Sequence, residues 1–154
     1  MKFEFSAGGI IFKKEGDTSM HILVAQHSQH HGWVFPKGLI GEKDVNPPSL
    51  KLRRAKKETK EEAALREVKE ETGVTAKIIK PLTPISYWYI FEGQKIKKTV
   101  YYFLMEYVSG DTKDHDWEME NVEWLPIEEV EKRLTYSSDK QVWKEAKTLL
   151  ESRK

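Results

Sequence analysis

The sequence predicts an α/β (α+β) fold in which a mixed β-sheet is layered between helices. Three observations support it. Strand-like segments lie on both sides of one amphipathic central helix, the last segments have helical periodicity, and no repeat or low-complexity linker divides the 154 residues. Residues 1–154 read as a single domain, a length that buries about two-thirds of its extended surface. Hydrophobic residues are 38% and charged residues 33%, too apolar for a disordered chain and too polar for a membrane protein. No apolar run approaches the roughly 20 residues that span a bilayer, and the first residues hold no leader-like apolar stretch. A soluble, cytoplasmic protein with no membrane partner is therefore expected. The absence of cysteine excludes disulfides, thiolate zinc sites and a cysteine nucleophile. Lys+Arg 26 against Asp+Glu 25 leaves a net charge of +1, which argues against a general polyanion binder.

The elements follow in order. Residues 3–13 read as a strand, and the paired Gly8 and Gly9 inside it predict a bulge or a close backbone approach. Residues 20–26 read as a second strand. Gly32, Pro36, Gly38 and Gly41 then mark a loop. Residues 42–57 form a basic insertion around Asn46-Pro47-Pro48, carrying Lys51, Arg53, Arg54, Lys56 and Lys57. The central helix opens on a capping box, with Thr59 as N-cap and Glu62 three residues on. Ala64, Leu65 and Val68 form its apolar stripe, and Gly73 stops it. Strand character returns at 75–91, broken near Pro81 and Pro84, then at 96–108 and 121–125. Alternation places Tyr87, Tyr89 and Phe91 on one face, and Glu92-Gly93-Gln94 makes a hairpin turn. A short helix is predicted at 127–134. A last one covers 139–151, capped by Ser138 with Gln141 at N3 and striped by Val142, Ala146, Leu149 and Leu150.

The segment that carries chemistry is Arg66-Glu67-Val68-Lys69-Glu70-Glu71-Thr72-Gly73-Val74. Glu67, Glu70 and Glu71 stand at i, i+3 and i+4 on one helical face, where like charges repel. Two readings are open from the spacing: a solvated acidic face, or a site for a hard divalent cation that reverses the repulsion. The apolar residues opposite and Arg66 among the carboxylates favour the second.

Together with Trp33-Val34-Phe35-Pro36-Lys37-Gly38, and with Glu58 separated from Arg66 by seven residues, this segment resembles the Nudix box of the Nudix hydrolases. One departure is the spacing of Gly38 and Glu58, nineteen residues instead of five, and loop insertions cost little closure entropy. The resemblance implies an α/β/α sandwich with a mixed sheet, and Mg²⁺- or Mn²⁺-dependent hydrolysis of nucleoside diphosphate-linked substrates. It implies Gly38, Glu58, Glu67, Glu70 and Glu71 as metal ligands or their support, with Glu118 from the acidic segment 114–120 as a further ligand. Glu70 is favoured over Glu67 as the base, and Arg66 orients the carboxylates.

Within the family, the Phe-Pro-Lys-Gly stretch, the Lys97-Lys98 strand and the place of Glu118 are similar to the diadenosine tetraphosphate hydrolases. That likeness implies a small nucleotide substrate cleaved to ATP and AMP. Lys37, Lys97 and Lys98 would meet its phosphates, Tyr87, Tyr89 and Tyr136 its adenines, and His31 would act as a substrate-loop histidine. Each has a plainer structural reading: core tyrosines, a solvated edge strand and a wet loop. Nucleoside triphosphates, RNA 5′ ends and inositol pyrophosphates are alternative substrates of the same metal site. A non-catalytic nucleotide-binding or interaction module is an alternative of another class, opposed by the presence of all three glutamates. The basic insertion also reads as an RNA- or partner-binding arm, against a plain solvated loop.

Overall fold

The computed structural model describes residues 2–16, 19–41 and 58–153. The basic insertion predicted at 42–57, with Lys51, Arg53, Arg54, Lys56 and Lys57, lies outside the described residues. The elements are β1 (Lys2–Glu15), β2 (Ser19–His27), β3 (Trp33–Val34), β4 (Lys37–Leu39), α1 (Lys60–Thr72), β5 (Val74–Pro81), β6 (Ile85–Phe91), β7 (Gln94–Gly110), β8 (Met119–Pro126), α2 (Val130–Arg133) and α3 (Ser137–Ser152).

The sheet is mixed. β1 and β7 run parallel from Lys2↔Ile96 to Phe12↔Glu106, and the other pairings among the described residues are antiparallel. The other edge of β1 changes partner midway: Ser6–Gly8 pair with β4, Phe12–Glu15 with β2. The sheet therefore forks at Gly8-Gly9. There the Gly9 N–H donates to the Pro36 carbonyl at 3.1 Å, and a Cβ on Gly8 would lie 2.2 Å from the same oxygen. The paired glycines thus allow the close approach predicted for them. β2 carries β3 and β8, while β7 carries β6 beside its first half and β5 beside its second.

Strand alternation sends apolar side chains to two cores. Ile10, Phe12, Ile22, Val24, Val100, Tyr102 and Leu104 pack with Val142, Trp143, Ala146 and Leu150 of α3. Ala7, Ile11, Leu23, Phe103 and Met105 pack with Ala63, Ala64 and Val68 of α1. The result is the expected α/β/α sandwich.

α1 has both halves of the capping box, and Gly73 ends it at φ 80. Its buried stripe differs from the prediction. Ala63 takes the inward position and Leu65 is exposed, because 64, 67/68 and 71 share the 3.6-residue stripe. Glu67 and Glu71 are therefore turned inward as well. α3 also differs: it starts at Ser137 behind Tyr136, with no side-chain cap hydrogen bond, so Ser138 is a helical residue and not the cap. Phe91 shares the face of Tyr87 and Tyr89, as the alternation predicts, and is exposed at the end of β6. The predicted short helix resolves into a 3₁₀ turn at Ile127–Glu129 and one turn of α2.

Candidate active site

The site grows from the junction of α1 and β4. A Cβ on Gly38 would lie 2.0 Å from the carboxyl carbon of Glu67, so with glycine here the Glu67 carboxylate keeps its place against β4. The next backbone N–H, that of Lys37, donates to Glu71 Oε1 at 3.2 Å. Arg66 is the organising cation. Its Nε and Nη2 donate to both oxygens of Glu58 at 2.6 and 3.0 Å, and its Nη1 donates to Glu67 at 2.9 Å and to Glu70 at 3.3 Å. Nη2 also donates to the Leu39 carbonyl at 3.1 Å, which ties the strand to the helix. Burial opposes the charge on Arg66, but the Glu58 hydrogen bond and the Glu67 charge outweigh it and raise its pKa. Glu58 accepts in turn from the Gly41 N–H at 2.6 Å.

The three box glutamates do not share one environment. Glu67 and Glu71 are 6% and 4% exposed, whereas the Glu70 side chain is 43% exposed. Burial first, and the Glu67 charge second, push the Glu71 carboxyl well above its ordinary range. Buried like-charged carboxylates against the glycine of β4 form a hard-oxygen donor set, and they fit Mg²⁺ or Mn²⁺. Among the described residues they are not gathered into a three-ligand cage; Arg66 draws Glu67 and Glu70 toward itself.

A cleft of ≈230 Å³ opens beside this junction, walled by Glu4, His27, His30, Phe35, Lys37, Gly38, Leu39, Glu71, Lys98, Glu118 and Met119. Of the predicted site residues it brings together Lys37, Gly38, Glu71, Lys98 and Glu118, with Arg66, Glu58, Glu67 and Glu70 adjoining. Tyr87 and Tyr89 lie on the same side of β6, rings 6.5 Å apart; the Tyr89 hydroxyl donates to Glu4, and burial together with that carboxylate raises its pKa to about 12. Tyr136 stands at the rim, its hydroxyl 2.8 Å from His30 Nδ1.

Two predicted residues are elsewhere. Lys97 points to the opposite face, where its Nζ is 5.8 Å from the Trp88 ring centroid, because the strand period of two separates it from Lys98. His31 is in the left-handed region at φ 62, and its ring meets Glu120 at 3.0 Å outside the cleft.

His27 and His30 line the cleft in its place, stacked at 4.2 Å. Their Nδ1 atoms accept from the N–H of Gln29 and Gly32, so each neutral ring carries its proton on Nε2. Burial and the neighbouring His27 and Lys37 lower the His30 pKa. The pair was legible only as a histidine-rich turn. Asp139 was also missed: it is buried, accepts from the Phe35 N–H at 3.2 Å, and supports the strand–loop junction beneath Lys37.

Residues 2–146 match the NUDIX domain family. The chain belongs to the Nudix family. It is 37% identical over 153 residues to a Mycobacterium tuberculosis protein that bears the name mutator protein MutT4, covering 96% of this chain and 56% of that protein. It is 28% identical to an 8-oxo-(d)GTP phosphatase of Mycolicibacterium smegmatis, covering 89% of this chain and 39% of that protein. The chain thus spans about half the length, or less, of the curated relatives it matches. The crystal structure of a C. elegans Ap4A hydrolase binary complex has the same fold, with TM-score 0.69, 24% identity, and coverage of 97% of this chain and 98% of that one. Among the described residues no helix is long and apolar enough to cross a membrane.

Proposed function

We propose that this chain is a divalent-cation-dependent hydrolase of phosphoric anhydride bonds in nucleotides, and that its first substrates are nucleoside triphosphates. The observation that carries this reading is the convergence of Gly38 and Glu71 with Lys37 and Lys98 on one cleft, beside the Arg66-ordered Glu58, Glu67 and Glu70. Gly38, Glu67, Glu70, Glu71 and Glu118, with Glu58 behind them, would hold a divalent cation, which would supply neutralisation of the charge on the phosphoryl oxygens. Lys37 and Lys98 bind the phosphate chain. Glu70, the most exposed of the three carboxylates, takes the proton of the attacking water. Arg66 acts through its neighbours as a positioning residue, fixing the carboxylates before substrate arrives.

The size of the cleft favours a triphosphate. At ≈230 Å³ it is smaller than the roughly 300 Å³ at which drug-sized pockets begin, which supports a reading with the phosphate chain inside and the nucleoside at the rim. The spread of cations expected for a tetraphosphate is also reduced, since Lys97 faces away. The name of the Mycolicibacterium smegmatis relative agrees with a triphosphate substrate. A second reading, cleavage of diadenosine tetraphosphate to ATP and AMP, is favoured by the adjacent Tyr87 and Tyr89 rings, which offer a surface to a second adenine.

The test is a hydrolysis screen with Mg²⁺ and with EDTA, across nucleoside triphosphates, diadenosine tetraphosphate, capped RNA and inositol pyrophosphates. Triphosphate turnover that requires the metal is expected. Glu70→Gln and Glu71→Gln should each lower it by about 10²–10⁴-fold with unchanged thermal unfolding. Wild-type turnover in both variants would sink the site assignment, and no turnover of any substrate would leave a nucleotide-binding module.

A further inference from the structure

We propose that the face of β4–β1–β7–β6 opposite the cleft is a binding platform for single-stranded nucleic acid. α1 covers only part of that face. It packs over Ala7, Ile11, Phe103 and Met105 and leaves Phe3 55%, Phe5 48%, Trp88 47% and Ile90 74% exposed. These are large side chains on regular strands, and such a group in the open marks a contact surface.

The register arranges them in rows. Phe3, Lys97 and Trp88 lie side by side across β1, β7 and β6, and Phe5, Thr99 and Ser86 form the next row. Two residues along a strand separate Phe3 from Phe5 by about 7 Å, so each ring offers its face to a different base. Basic side chains are interleaved with the rings. Lys95 and Lys97 hold their Nζ atoms 4.8 and 5.8 Å from the Trp88 centroid, and Lys60 lies 4.8 Å from that of Tyr101.

Charge selects the occupant. The strand positions that alternate onto this face, 3 and 5 of β1, 95, 97, 99 and 101 of β7, and 86, 88 and 90 of β6, include no Asp or Glu. Glu4 is turned to the cleft side by its bond to Tyr89. A second copy docked through the same face would set these lysines against their own counterparts. A single strand supplies phosphates for the lysines and flat, unpaired bases for the rings, the pairing used by sheet platforms that stack two or three bases. The face also borders β4, the strand that carries Gly38 to the carboxylates, so a strand laid from β6 toward β4 leads to the site.

The test is fluorescence anisotropy with labelled oligouridylate and oligodeoxythymidylate of about ten nucleotides, between about 50 and 200 mM salt. Single strands should bind, more weakly as salt rises, and better than a duplex of equal length. Phe3→Ala and Trp88→Ala should each weaken binding by about tenfold, and Trp88→Phe should restore it. Thermal unfolding should stay unchanged in all three, which keeps this outcome separate from the hydrolysis assay. Four results would overturn the proposal. These are no binding at low salt, equal binding by wild type and both alanine variants, binding to phosphatidylserine vesicles but not to oligonucleotide, and self-association that the alanine variants abolish.

Discussion

Asp139 turns its carboxylate to the backbone of Phe35 and not to the cap of its own helix. Burial raises its pKa from 3.8, against the opposing pull of Lys37 and the Phe35 N–H. A raised folded-state pKa means that the native state holds the proton more tightly, so stability falls as pH rises from the unfolded value through the folded one. Asn at this position keeps an acceptor oxygen and cannot ionise. Thermal melts between about pH 4 and 7 should show wild type losing stability relative to Asp139→Asn as pH rises; parallel curves would refute the assignment. At this scale the box residues were legible because helical spacing alone sets their direction. Lys97, His31 and Asp139 were not. Their side chains are aimed by sheet register, by a left-handed turn and by a partner more than a hundred residues away.

Among elements, α1 was legible at both ends, since its capping box and Gly73 are local chemistry. The β6–β7 turn was equally so, with Glu92 and Gly93 both at positive φ as a tight hairpin demands. β3 and β4 were invisible inside their loop, because strands of two and three residues carry no period. The start of α3 was read two residues late, at Asp139 behind Ser138, because its actual N-cap, Tyr136, makes no side-chain cap hydrogen bond that local sequence could signal. The capping box of α1 supports the residue just before it, Glu58, which Arg66 grips. Thr59→Ala should lower stability to urea by about 1 kcal/mol. An unchanged midpoint would mean that tertiary packing alone sets the helix start.

Over the whole molecule, the α/β/α layering followed from hydrophobic periodicity, but the fork of the sheet did not. Only the pairing of β1 with both β2 and β4 reveals it, and that pairing depends on chain segments far apart. Trp143 binds the outer layer to the sheet: it is fully buried against Phe35, and its indole N–H has no hydrogen-bond partner among the described residues. Trp143→Ala should cost about 3–5 kcal/mol, a large part of the roughly 5–15 kcal/mol that holds a domain together. Trp143→Phe should cost much less, since it gives up area and no hydrogen bond. Equal urea midpoints for the two variants would show that α3 docks by other contacts. The parallel partnership of β1 with β7 also sets an order in time. At about 5–20 residues per second, the ribosome takes roughly 5–20 s to reach β7 after making β1. Through that interval Ile10, Ile11 and Phe12 lack their parallel neighbour, and the nascent chain is most open to chaperones and to misassociation.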